Sequence, residues 1–149
     1  MAGNHLLRQA AAQGDLAKVT ARLAAGDDLE GRHKGTGRTL LLEAAIAGHA
    51  DVVELLLDSG ADLTASCTAV GHTALGWAAN QGHPEVARVL LTHGADPNLV
   101  PGNSFLGHTP LIIAAMAGHT EVVDLLLAAG ADPAQVDNRG HNALWHAED

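Results

Sequence analysis

The chain reads as an all-α solenoid, in which helix-turn-helix units stack side by side and are joined by β-hairpin-like loops. Two observations carry that reading. Gly14, Gly48, Gly82 and Gly118 form one column and Gly26, Gly60, Gly94 and Gly130 a second, both with steps of 34, 34 and 36 residues. Between these glycines, apolar residues recur at helical spacing rather than alternating. Self-similarity at this period marks a repeat architecture, in which each unit buries its apolar face only against its neighbours.

The fullest unit is residues 107–133, GHTPLIIAAMAGHTEVVDLLLAAGADP. Thr109 is placed to cap a helix whose first residue is Pro110, where the missing N–H costs nothing. Leu111, Ala114 and Ala115 follow at helical spacing, and Gly118 interrupts the run. A second helix opens after His119; Glu121 in its first turn complements the helix dipole. Val122, Val123, Leu126 and Leu127 form its apolar stripe, and Gly130 ends it where a left-handed residue is needed. Two such short helices are not stable alone.

Read in order, one domain over 1–149 divides into a capping unit at about 4–36, units at 37–70, 71–106 and 107–139, and a partial unit at 140–149. In the first unit, Lys18 and Arg22 stand where the next has Val52 and Leu56. Polar residues there suit a terminal unit with nothing stacked before it. Residues 29–37, LEGRHKGTG, predict a projecting basic hairpin-like finger. The second unit predicts helices near Leu40–Ala47 and Ala50–Asp58, and the third opens its second helix with Pro84. Pro101-Gly102-Asn103 marks a turn in the longest connection, which also carries Phe105, the single phenylalanine, beside Leu106. An apolar pair there reads either as a contact anchor or as a side-chain cluster folded back on its hairpin. The last unit supplies one short helix with Leu144, Trp145 and Ala147 facing the fourth unit. That end has no polar cap like Lys18 and Arg22, so an apolar edge open to self-association is expected.

Composition narrows the class. With no tyrosine and only Phe105, Trp77 and Trp145 as aromatics, Ala, Leu and Val must carry the packing. The single Cys67 has no internal partner, which fits a reducing compartment. The first residues lack the layout of a signal peptide, and no apolar run approaches the ~18 residues of a membrane span; a soluble, cytoplasmic protein is expected. The net charge of −9 is uneven: residues 1–38 carry six basic and four acidic groups, and residues 39–149 two basic and thirteen acidic. A mostly acidic stack is a poor partner for nucleic acid. The asymmetry reads as differing solvated faces or as a bipolar surface that orients a partner.

The pattern T-P-L, A-A, G-H, V-V, L-L-L, G-A-D, complete in Thr109–Asp132 and repeated in register, resembles the ankyrin repeat. The family's T-P-L-H tetrad stands here as Thr39-Leu40-Leu41-Leu42, Thr73-Ala74-Leu75-Gly76, Thr109-Pro110-Leu111-Ile112 and Asn142-Ala143-Leu144-Trp145. The histidine that helps tie neighbouring repeats in the family is missing from every copy, which predicts less regular stacking.

Ten histidines raise the question of a metal or a catalytic base. His49, His83 and His119 form one column and His72, His108 and His141 another. Units one helix-packing distance apart, ~10 Å, cannot bring a column together on one ion, whose ligands lie ~2 Å from it. Helix capping and hairpin hydrogen bonds are the expected roles, and His141 and His146 are not at a useful ligand spacing. Cys67 and His72 lack an orienting third group. The glycines fit no phosphate-binding pattern, and Asp51, Glu85 and Glu121 are explained by the helix dipole. No catalytic residue, cofactor or metal is therefore expected.

The resemblance implies a protein-binding module, an adaptor or inhibitor, that holds its partner through a concave face of fingers and first helices. Transferred to this sequence, the positions are Lys34, Arg38 and Ile46; Val70, His72, Trp77, Asn80 and Gln81; Phe105, Leu106, His108 and Met116; and Arg139. Trp77, Phe105 and Arg38 are the expected anchors, with Trp77 equally readable as inter-helix core. The alternative is a regulatory or targeting part of a larger enzyme or effector.

Overall fold

A computed structural model describes residues 2–148. Among them are nine helices: α1 (Ala2–Gln13), α2 (Leu16–Ala24), α3 (Leu40–Ala47), α4 (Ala50–Asp58), α5 (Ala74–Gln81), α6 (Pro84–Thr92), α7 (Pro110–Ala117), α8 (Thr120–Ala128) and α9 (Ala143–Glu148). Consecutive helices pair as α1–α2, α3–α4, α5–α6 and α7–α8. The first helices α1, α3, α5, α7 and α9 stack in one row, and α2, α4, α6 and α8 in a second. The only β pairing among the described residues is an isolated bridge between Ser66 and Thr73. No helix of the described residues is long and apolar enough to cross a membrane.

The two rows are buried differently, and this explains their sequences. In the inner row Leu40, Leu41 and Leu42 of α3 are all buried, as are the five consecutive residues Pro110–Ala114 of α7. Such helices contact neighbours on both sides and their own partner behind, so they are apolar all round rather than striped. The outer-row helix α4 buries only Val52, Val53 and Leu56, and α8 only Val122 and Leu126. The threonine column caps as expected: the Oγ1 atoms of Thr39, Thr73 and Thr109 accept from the amides of Leu42, Gly76 and Ile112 at 3.4, 3.3 and 3.1 Å.

The histidines that begin the second helices do not cap them. Instead each ring reaches back one repeat. The Nε2–H groups of His49, His83 and His119 donate to the carbonyls of Ala12, Ile46 and Asn80 at 3.0, 3.0 and 3.1 Å. This column thus supplies three bonds between neighbouring repeats. The rings lie against the inter-helix glycines of the preceding repeat. A Cβ on Gly82 would stand 2.5 Å from the His119 ring, whereas one on Gly118 would meet nothing within 4 Å.

The ends differ as the sequence implies. Lys18 and Arg22 lie on the outer side of the first repeat, paired with Asp15 and Asp27 at 3.4 and 2.7 Å. At the opposite end an apolar groove of about 400 Å³ opens between α7, α8 and α9, lined by Leu111, Val123, Leu127 and Leu144 among others. The expected cover is incomplete: Ala143 is the one buried residue of α9, and Leu144 remains 64% exposed. Trp145 turns away to stack on His141, with ring centroids 3.7 Å apart.

Candidate functional site on the first-helix and finger face

The fingers between repeats form a continuous strip because each is bonded to the next. Arg32 donates to the Ser66 carbonyl at 2.8 Å, Asn103 Nδ2 to the Cys67 carbonyl at 2.9 Å, and Asn138 Nδ2 to the Phe105 carbonyl at 2.9 Å. Within fingers, the amides of His33, Cys67 and Asp137 donate to the carbonyls of Arg38, His72 and His141 at 2.9, 3.1 and 2.9 Å. Loops held this way present their side chains from a fixed backbone, which lowers the ordering cost of binding.

Beside this strip the structure gathers several of the residues singled out above. His72, Asn80, His108 and Met116 line one cleft of about 250 Å³ together with Ile113. Phe105 projects with 87% of its surface exposed and Leu106 with 40%, so the pair does not fold back onto its hairpin. Val70 and Met116 are exposed at 44% and 50%. Trp77 is only partly exposed and packs against the core. Its ring lies edge-on to His72 and beneath the Arg38 guanidinium, which is 5.1 Å from the ring centroid. Trp77 and Arg38 thus form a cation–π pair at the boundary of core and surface. Ile46 is likewise half-buried, its carbonyl taken by His83. Gln81 is exposed and donates to the Asn80 side chain at 3.0 Å; Arg139 is exposed on the last finger.

The first end is basic. Lys34 shares a cleft of about 450 Å³ with Asn4, His5, Arg8, Arg32 and His33. Arg8 crosses to the first finger, donating to the carbonyls of Gly31 and Arg38. Sequence reasoning placed Lys34 and Arg38 there and Arg32 on the basic finger, but missed Arg8, which belongs to a helix whose register gave no reason to point it at the finger.

The second histidine column departs from expectation. None of its rings caps a helix, and the Nδ1 atoms of His72 and His141 are buried without a partner among the described residues. Burial, with the nearby His108 adding to it, holds the His72 pKa below its ordinary value. Burial also lowers His108, against the opposing pull of Asp137. Asp137 itself is 5% exposed. Burial pushes its carboxyl up, but bonds from the His141 amide, the His146 ring and the Arg139 amide outweigh that and bring it down to about 2. Cys67 is 1% exposed and belongs to the core, which explains its presence without chemistry.

Comparison with known families follows the geometry. The description "Ankyrin repeats (3 copies)" matches residues 7–101, and "Ankyrin repeat" matches residues 106–138. A comparison with curated proteins found no match. Paired helices in two rows, threonine caps, bonded fingers and these matches over most of the length agree: the chain belongs to the ankyrin repeat family.

Proposed function

We propose that this protein is a non-enzymatic interaction module, an adaptor or inhibitor, that holds a protein partner along its first helices and fingers. The carrying observation is the apolar tip Phe105–Leu106, 87% and 40% exposed on a backbone fixed by Asn138. A large aromatic on a rigid support is what binding hot spots are made of. Val70 and Met116 extend the apolar surface on the neighbouring repeats, and the cleft around Lys34, Arg8 and Arg32 adds a basic end for an acidic segment of the partner. A partner with an apolar centre flanked on one side by carboxylates fits this strip. Cytoplasmic residence belongs to the same reading and rests on the free, buried Cys67.

The test is affinity capture from the cytosol of the source organism, followed by mass spectrometry, with the chain and its Phe105→Ala variant as baits. A protein retained by the first and lost with the second, then rebound by the purified chain alone, supports the reading. Equal retention by both baits removes Phe105 as the anchor and with it this assignment of the face.

The groove between α7, α8 and α9 favours a second contact, self-association through the C-terminal edge, because Leu127 and Leu144 are exposed beside it. Sedimentation velocity over a hundredfold concentration range tests it; a constant monomer mass for both the chain and Leu144→Asp rules it out.

A further inference from the structure

We propose that His108, Asp137 and His146 form a binding site for one divalent transition-metal ion of the zinc class, which clasps the terminal half-repeat to the stack. Each of the three residues offers one ligand atom, and these atoms all lie within 4.8 Å of one another. Asp137 Oδ2 is 2.8 Å from His146 Nε2 and 3.6 Å from His108 Nε2. Ligands about 2.0–2.1 Å from a tetrahedral ion stand about 3.3 Å apart. One of these two pairs must therefore open and the other close by a fraction of an ångström. The fourth position is left to water.

The surroundings are those of a built site. The side chains of His108 and His146 are each 11% exposed and that of Asp137 is 1% exposed. Asp137 Oδ1 is fully engaged, accepting from the amides of Arg139 and His141 at 2.8 and 3.0 Å. These bonds aim Oδ2 at the two imidazoles, the outer-shell orientation that metal carboxylates require. Without an ion, the His146 Nε2–H donates to Oδ2. On binding, His146 takes its other tautomer, with the proton on Nδ1, and offers the Nε2 lone pair. Two imidazoles and one carboxylate suit zinc and its first-row neighbours better than calcium or magnesium, which prefer oxygen.

The spacing argument against a metal holds within a histidine column but does not reach this cluster. His108 precedes α7, Asp137 lies on the last finger and His146 on α9, so three different columns converge. An ion here would cross-link segments far apart in sequence and fix α9, which otherwise buries only Ala143.

The test uses the whole chain, stripped with a chelator and titrated with zinc chloride by calorimetry. Cobalt(II) absorption serves as a second readout of coordination. The expected result is one ion per chain with a rise in melting temperature. His108→Ala and His146→Ala should each weaken binding by at least about tenfold, while the exposed, remote His33→Ala should leave it unchanged. Folding of each variant is checked by circular dichroism without metal. Failure to bind zinc at micromolar concentrations, or binding undiminished in both cluster variants, overturns the proposal.

Discussion

Replacing Gly82 and Gly118 by alanine separates backbone strain from the cross-repeat histidine contact. The two glycines end α5 and α7 in nearly the same left-handed conformation, with φ of 71° and 75°. An alanine there costs about 1 kcal/mol in either case, and the unfolded-state entropy change is the same for both. The surroundings differ. At Gly82 the new Cβ would lie 2.5 Å from His119 Nδ1 and 2.6 Å from Cε1; at Gly118 it would meet nothing within 4 Å. Ordinary contact needs roughly 1 Å more, so the His119 ring must swing out and give up its 3.1 Å bond to the Asn80 carbonyl. That loss adds about 1 kcal/mol. Urea denaturation should therefore show Gly118→Ala losing about 1 kcal/mol and Gly82→Ala about 2. In a His119→Ala background the difference should vanish, because the ring is gone. Equal losses for the two glycines, or a difference that survives His119→Ala, would refute the argument.

Thr109→Ala should cost about 1–2 kcal/mol, since it strips the cap from the buried Ile112 amide; Thr109→Ser should recover most of it in the same denaturation assay. Phe105→Ala should leave stability within about 0.5 kcal/mol, because so exposed a side chain contributes little to the core; a larger loss would place it in the packing. The His72 pKa is lower in the folded chain than its ordinary value, so between the two values the unfolded chain binds more protons and stability rises with pH. Its contribution is present above about pH 6.5 and is lost as pH falls through the folded value. In chelating buffer, the urea midpoint of the wild type should fall from pH 7.5 to 5.0 by more than that of His72→Gln; parallel falls would exclude His72 as the cause.

Much of the fold was legible because the repeat forces local signals into register. The predicted helices at Leu40–Ala47 and Ala50–Asp58 agree with α3 and α4 to the residue. Thr39, Thr73 and Thr109 could be read as caps because their partners lie three residues away. Contacts spanning a repeat were harder. The cross-repeat role of His49, His83 and His119 depends on a ring fitting over a glycine more than thirty residues earlier, a pairing with no local signature. Asp137 was missed for a different reason. By hairpin bonding, and by its place seven residues after Gly130, it stands where His33 and Cys67 stand after Gly26 and Gly60, but a lone carboxylate on a finger carries no helical spacing that points to His108 and His146. His146 was weighed only against His141, whereas the geometry joins it to His108 and Asp137. The site residues divide along the same line. The finger position of Phe105 left exposed and folded-back readings open until the structure showed it 87% exposed, and the half-buried pairing of Trp77 with Arg38 required both repeats in place.

Hydrogen–deuterium exchange of the chain alone and with its captured partner tests the binding face most directly. New protection is predicted at the finger carrying Phe105 and along α3, α5 and α7. The outer helices α4, α6 and α8 should exchange as before. Protection confined to those outer helices would contradict the account.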